Sequence, residues 1–468
     1  MSRYSKNKSG LLCKLVVTVA ALAIIVYAGS VAKTYLNRLN ADKILVSSPL
    51  KDKKFQAKVQ EIQTGLLSAY LLEEHSNPIV SVSFEFKNAG RAHVAENQQG
   101  LTNVLADMLT NGTASYPAQK FKDLSEEYGV RIGFYSTKDV FAGHLIFPKQ
   151  NREMAVKLLR EALLKPSFDE EYLALTKHQL TVALQMARER PESIVSEKFI
   201  EFVFGGHPYS RNTIGKQEDI NALSAEDLRA FMQGYLAQDN LLIGVAGDVT
   251  AEETSQLLND LFGKLPEKST GKDLLPLEVI SSGETLNVER ETPQAIVRFV
   301  VKGTYRNSLD FYPLYMANYI FGESGLSSRL NKNIREKEGL TYGIYTGLNI
   351  SDASALIEGS YAVAPENFAK SKQLLLTEWH KMAVNGVTQE ELQLAKDALL
   401  ASYNLRFASI GHISNMLLGM QKHRLGKDFL EKRNDYIAAV TLKEVNAAAK
   451  KYFSAQPDFV TIGVKEEK

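Results

Sequence analysis

The sequence repeats itself once, and the repeat limits what it can fold into. Residues 220–235 run Ile-Asn-Ala-Leu-Ser-Ala-Glu-Asp-Leu-Arg-Ala-Phe-Met-Gln-Gly-Tyr, and residues 437–452, 217 positions later, carry the same arrangement. Each copy holds a capping box, Ser224 with Asp227 and Thr441 with Glu444, ahead of an amphipathic helix that ends on tyrosine. Each then leads into an apolar strand, 241–246 and 459–464. Residues 168–180 parallel 387–399 in the same way, at an offset of 219. Two long copies are a duplication, not a solenoid. Strand-like segments 79–86, 141–147 and 295–301 interleave with helical runs. The fold class expected is α+β: two duplicated domains, each a mainly antiparallel sheet backed by helices. The domains are placed at 59–265 and 277–468, separated by a Lys/Pro-rich joint at 263–276.

The N-terminus makes a separate prediction. Arg3, Lys6, Lys8 and Lys14 precede eighteen largely apolar residues, 15–32, with no acid until Asp42. This pattern predicts a signal peptide or membrane anchor over 1–32 with its start in the cytoplasm. Ser30-Val31-Ala32 offers a cleavage site, but the apolar run reaches the length of a membrane span. The expectation is a chain anchored in the inner membrane with its bulk in the periplasm, or secreted there if cleaved after Ala32. A polar linker, 33–58, follows. Cys13 is the only cysteine, so the folded part has no disulfide. A net charge of +1, with no basic cluster and no Gly-rich phosphate loop, argues against a nucleic-acid partner.

Residues 100–113 carry the chemistry worth weighing. Leu101, Leu105, Met108 and Leu109 form one apolar helical face, and Asn111-Gly112 stops the helix. Asn103 and Asp107, four apart, share another face. An amide and a carboxylate make a poor zinc site, and Ala106 between them cannot move a proton. The plain reading is two polar residues on a half-buried helix. The stretch nevertheless closely resembles the helix of the pitrilysin/insulinase zinc peptidases, G-L-A-H-F-L-E-H-M-L-F-K-G-T, whose H-x-x-E-H supplies two imidazole ligands and a Glu base. Asn103, Ala106 and Asp107 stand at those three degenerate positions. The resemblance places the third ligand near Val182, and no acid occurs between Glu171 and Glu189. None of the eight histidines pairs with another at ligand spacing. The resemblance runs from about 55 to 465 and includes Gly206-His-Pro-Tyr-Ser-Arg211, where His207 matches a structural loop, and 245–249.

Residues 327–345 resemble the family's S-S-R-L-x-x-x-x-R-E-K-x-G-L-A-Y-x-V-Y. In active members the Arg and Tyr seven apart, here Arg335 and Tyr342, reach across to the zinc helix, where the Tyr steadies the oxyanion and the Arg holds substrate backbone. Without the resemblance, Arg335 is a solvated helix end and Tyr342 a strand-packing aromatic. The resemblance implies the zinc-less subunit of a pair of half-size chains. Such a chain binds no metal itself, pairs with a zinc-containing relative, and acts with it on peptides or unfolded segments. The alternative is a non-enzymatic scaffold or peptide-binding pseudopeptidase. Hydrolysis by this chain alone is not expected, since no Ser/His/Asp arrangement or carboxylate pair stands out.

Overall fold

The computed structural model describes residues 58–464. Its strands are Gln60–Thr64 (β1), Leu67–Glu73 (β2), Ile79–Lys87 (β3), Arg131–Ser136 (β4), Val140–Pro148 (β5), Leu241–Gly247 (β6), Thr285–Val288 (β7), Ala295–Lys302 (β8), Ile344–Ile350 (β9), Ala355–Val363 (β10) and Asp458–Ile462 (β11). They form two sheets, in the orders β1-β2-β6-β3-β5-β4 and β7-β11-β8-β10-β9. Without β1 the two orders match strand for strand. Each sheet has one parallel pair, β2 with β6 and β7 with β11, and is antiparallel elsewhere. The duplication is thus a duplication of sheet topology.

In the first half the helices are Leu101–Met108 (α1), Ala118–Glu127 (α2), Arg152–Leu164 (α3), Glu170–Glu189 (α4), Pro191–Phe204 (α5), Gln217–Ala222 (α6), Ala225–Tyr235 (α7) and Ala251–Phe262 (α8). The second half has Phe311–Asn318 (α9), Phe368–Asn385 (α10), Gln389–Ala401 (α11), Ile410–Lys422 (α12), Phe429–Ala439 (α13) and Leu442–Phe453 (α14). Both capping boxes read from the repeat are formed, at the starts of α7 and α14.

Strand β3 shows how the halves are joined. Val80, Val82, Phe84 and Phe86 alternate into the main core of the first half. Ser81, Ser83 and Glu85 point the other way, and such alternation ordinarily marks a wet face. All three are buried, because α12 from the second half lies across them. The Ser414 hydroxyl bonds to those of Ser81 (2.9 Å) and Ser83 (2.8 Å), and Lys422 Nζ lies 3.5 Å from Glu85. Gln421 donates to the Ile243 carbonyl at 2.6 Å. The approach is close enough to require glycine at 244, since a Cβ there would stand 2.0 Å from the Ser414 carbonyl oxygen.

The exchange is reciprocal. Helix α5 of the first half covers the second sheet, packing Val195, Phe199 and Phe204 against Val300, Leu356, Val460 and Ile462. Arg298 stacks on Phe199 at 3.8 Å and pairs with Glu358 at 3.1 Å. Helices α5 and α12 occupy equivalent places in the repeat, directly after α4 and α11. Where the halves meet, the buried Tyr209 hydroxyl donates to the Asp139 carboxylate and accepts from the Ala353 amide at 2.9 Å. Asp139 also accepts from the Asp352 amide at 3.3 Å. Asp139 sits in the β4–β5 turn, and Asp352 and Ala353 in the β9–β10 turn.

One expectation is corrected. Among the described residues no helix is long and apolar enough to cross a membrane. A spanning helix needs about 20 mostly apolar residues, and the longest described, α4, carries Glu170, Glu171, Lys177, Arg188 and Glu189. The inner-membrane and periplasmic assignment is therefore withdrawn. The segment on which it stood, 1–32, lies outside the described residues, as does nearly all of the linker.

Two predictions follow from the junction. Tyr209→Phe keeps the ring but leaves Asp139 and the Ala353 amide short of a partner. A loss of about 1–3 kcal/mol in unfolding free energy is expected in urea titrations; an unchanged value would mean that other contacts hold the two turns. Glu85 is the second. Burial pushes its carboxyl above the usual range, against the opposing pull of Lys422. A carboxyl with a raised folded value contributes stability that is full below its unfolded value, about 4.3, and is lost as pH rises through the folded one. Wild type should therefore lose stability relative to Glu85→Gln as pH climbs from about 4 towards neutrality. Parallel stability–pH curves for the two proteins would refute this.

Candidate functional site

Helix α1 is bracketed by Gly100 and Gly112, both at φ 104°, a left-handed conformation that favours glycine. Leu101, Val104, Leu105 and Met108 are buried in the core, and Ala106 packs half-buried against it. Asn103 and Asp107 do share the remaining face, but each is already engaged. The Asn103 amide donates to the carbonyls of Thr213 (2.8 Å) and Ile214 (3.0 Å). Asp107 Oδ2 accepts from the Thr176 hydroxyl at 2.6 Å and from Asn111 at 3.4 Å. Helix α4 is thus where the resemblance predicts a third group, but the residue meeting Asp107 is Thr176. Val182 is 37% exposed and offers only carbon. Nothing in the sequence marks Thr176, since a lone hydroxyl between Leu173 and Leu180 carries no chemical signature.

These residues do not fit zinc. One amide is committed to two backbone carbonyls, one carboxylate to a hydroxyl and an amide, and the base position is a methyl group. Among the described residues no group of three or more His, Cys, Asp and Glu is placed to hold a metal. The hydrogen bonds instead tie α1 to α4 and to the loop before α6.

The second element is open where the first is closed. Residues Asn331–Glu336 form a π-helical turn, a widened geometry frequent at functional sites. Arg335 Nε donates to the Tyr342 carbonyl at 2.9 Å, so these two residues are brought together. Among the described residues the two Nη groups of Arg335 make no hydrogen bond. Tyr342 precedes β9, and its side chain is not packed into the sheet: the residue is 89% exposed. Buried Asn331 stands behind them, at 1% exposure. Its amide donates to the carbonyls of Ile344 (2.7 Å) and Gly325 (3.0 Å), and its oxygen accepts from the Ile344 amide (3.1 Å). Nothing in the sequence marks Asn331, which occupies an unspecified position of the motif. Among the described residues no hydrogen bond or ion pair joins Arg335 or Tyr342 to Asn103 or Asp107.

Beside α1 runs β4, an edge strand of the first sheet. A cleft of about 730 Å³ opens there, lined by Asn111, Phe121, Lys122, Arg131, Ile132 and Tyr172. Tyr172, Leu175, Val182 and Met186 continue along α4 as an exposed apolar stripe at helical spacing. His207 is accounted for locally. Its Nδ1 accepts from the Tyr209 amide at 3.1 Å, and Nε2 lies 3.1 Å from the Leu275 carbonyl oxygen. Arg211 of the same loop donates to the carbonyls of Val94 (2.7 Å) and Ala92 (3.1 Å).

Saturating zinc is expected to leave the thermal midpoint of the purified chain unchanged. A site with Kd a hundredfold below the free zinc concentration would add about 2.7 kcal/mol, readily seen by calorimetry, and such a shift would overturn the reading of α1.

Comparison with known proteins agrees with this architecture. Residues 70–217 match the family model "Insulinase (Peptidase family M16)", and residues 222–399 match "Peptidase M16 inactive domain". The chain is 25% identical over 389 residues to a Helicobacter pylori protein described as "Non-peptidase homolog YmxG", covering 83% of this chain and 89% of that one. It is 23% identical over 372 residues to "Uncharacterized zinc protease YmxG" of Bacillus subtilis, covering 78% and 88%. A crystal structure of a peptidase M16 inactive domain from Pseudomonas fluorescens superposes with a TM-score of 0.82 at 24% identity, over 88% of this chain and 99% of that one. With the repeated sheet topology and the α1 and 327–345 elements in place, the chain belongs to the insulinase (M16) peptidase family, as a homologue in which the zinc-binding helix has lost its ligands.

Proposed function

We propose that this chain is the zinc-less subunit of a two-chain peptidase. In this reading a zinc-containing relative of the same family supplies the metal and the general base, and this chain supplies Arg335 and Tyr342. The observation that carries it is the state of that pair. Arg335 is anchored through Nε with its Nη groups free, and Tyr342 stands beside it with its hydroxyl in water. Two donors are therefore presented outward with nothing among the described residues to receive them. Set against a partner's site, the Tyr342 hydroxyl would donate to the scissile carbonyl oxygen as negative charge develops there. Arg335 would hold a substrate backbone carbonyl through its paired Nη hydrogens.

A second reading is supported by a different observation. The β4 edge, the adjoining cleft and the apolar α4 stripe form a surface on which an extended peptide could add as a strand, with main-chain hydrogen bonds and side-chain pockets. With α1 closed by its own hydrogen bonds, that surface would bind without cutting. The name of the Helicobacter pylori relative, a non-peptidase homologue, accords with this.

Co-expression with the zinc-motif relative of the same genome separates the two. If the pair is catalytic, cleavage requires both chains, and Tyr342→Phe or Arg335→Ala lowers kcat by about 10²-fold. A zinc chain equally active alone, or variants indistinguishable from wild type, would leave the peptide-binding scaffold as the function.

A further inference from the structure

We infer that Asn331 is the positioning residue that sets Arg335 and Tyr342 in register, an inference resting on the proposed role of that pair. The tip of the turn between them is exposed over 336–339, with backbone hydrogen bonds from Lys337 to Lys332 (3.1 Å), Gly339 to Arg335 (3.0 Å) and Leu340 to Ile334 (3.2 Å) and an ion pair between Glu338 and Lys370 (2.7 Å). The Thr341 hydroxyl then bonds to the C=O (3.0 Å) and N–H (3.2 Å) of Gly343, which settles the chain locally but does not tie it to the π-helical turn. Tyr342 gains almost nothing from packing. Its place depends on where the chain enters β9 at Ile344, two residues later.

Asn331 fixes that entry. Its side-chain amide meets both the N–H and the C=O of Ile344, as the backbone of a neighbouring strand would, and so acts as a one-residue strand partner. It also bonds to Gly325 and Ser328, which ties the turn before it to the same point. Asn331 and Arg335 lie on one π-helical turn, so the element that clamps Ile344 also carries the guanidinium. Arg335 Nε then closes the loop on the Tyr342 carbonyl. Three backbone groups, Ile344 N–H, Ile344 C=O and Gly325 C=O, would lose this partner if the amide were removed, and buried backbone groups are rarely left unpaired. Displacing a donor by about 1 Å is enough to lose roughly 10²-fold in rate.

The test uses the full chain with Asn331→Leu and Asn331→Asp, each checked against the wild-type thermal midpoint. The first readout is independent of activity: the Arg335 Nε–H signal in an arginine side-chain nitrogen–proton spectrum, assigned with Arg335→Lys. Asn331→Leu is expected to move it to the position of solvated arginines and to speed exchange of the Ile344 amide by at least about tenfold. Asn331→Asp, which keeps the acceptor for the Ile344 N–H, should restore part of both. In the two-chain assay Asn331→Leu should lower kcat with KM little changed. An unmoved Nε–H signal with wild-type exchange overturns the inference, as does wild-type kcat in a pair where Tyr342→Phe is impaired. If Asn331→Leu does not fold, Asn331→Asp decides by the same readouts. If Arg335→Ala and Tyr342→Phe are themselves without effect on cleavage, the two-chain reading fails, and the Nε–H signal alone decides for Asn331.

Discussion

The hydroxyl of Tyr209 sits between the two turns where the halves meet, donating a hydrogen bond to Asp139 and accepting one from the Ala353 amide. Burial and the Asp139 charge both push its pKa up, so the phenol stays protonated and keeps its donor. Much of the fold is arranged around that contact. His207 caps the short turn that presents Tyr209, Arg211 gathers the carbonyls of the 91–94 loop, and Lys138 lies over the rings of Phe204 and Tyr209. The helix exchange has the same consequence on a larger scale. With α12 on the first sheet and α5 on the second, neither sheet has both faces covered by its own half of the sequence. Separating the halves would expose the apolar surface of Phe199, Val300 and Val460 and strand the serines on β3.

Much of this was legible from residues alone, because duplication and periodicity are local signals. The segments 79–86, 141–147, 241–246, 295–301 and 459–464 fall on β3, β5, β6, β8 and β11, and the capping boxes formed where Ser224 and Thr441 stand. The exchange of helices was not legible. Ser81, Ser83 and Glu85 alternate with Val and Phe as a solvated face would, and nothing local says that a helix some 330 residues away covers them. The identity of Gly244 records the contact, but an isolated glycine in a strand has several causes. The apolar run at 15–32 carries only a hydropathy signal and lies outside the described residues.

At the site the same division holds. That Asn103, Ala106 and Asp107 are wrong for zinc follows from ligand chemistry and needs no coordinates. What these side chains bond to instead does: Asn103 donates to residues 110 and 111 positions away, and Asp107 accepts from one 69 positions away. Asn103 and Asp107 each have a protein partner, so hydrogen bonds within the chain tie α1 to its neighbours. Such pairings are long-range and chemically ordinary, which is why Thr176 and Asn331 left no mark in the sequence.

The two elements therefore differ in a way that bears on function. Helix α1 largely follows the usual rules: its apolar face is buried and Asn103 and Asp107 have partners, although the buried Thr102 hydroxyl has none among the described residues. The 331–344 element departs from them. It widens a helical turn to π geometry and leaves the Tyr342 ring exposed to water. Local departures from good packing that survive within an otherwise consistent structure tend to sit where something else completes them. Arg335 and Tyr342 lack that completion within the described chain, whereas Asn103 and Asp107 have found theirs. An outward-facing donor pair on a turn tied down by Asn331 is what a subunit would carry if the acceptor belonged to another molecule.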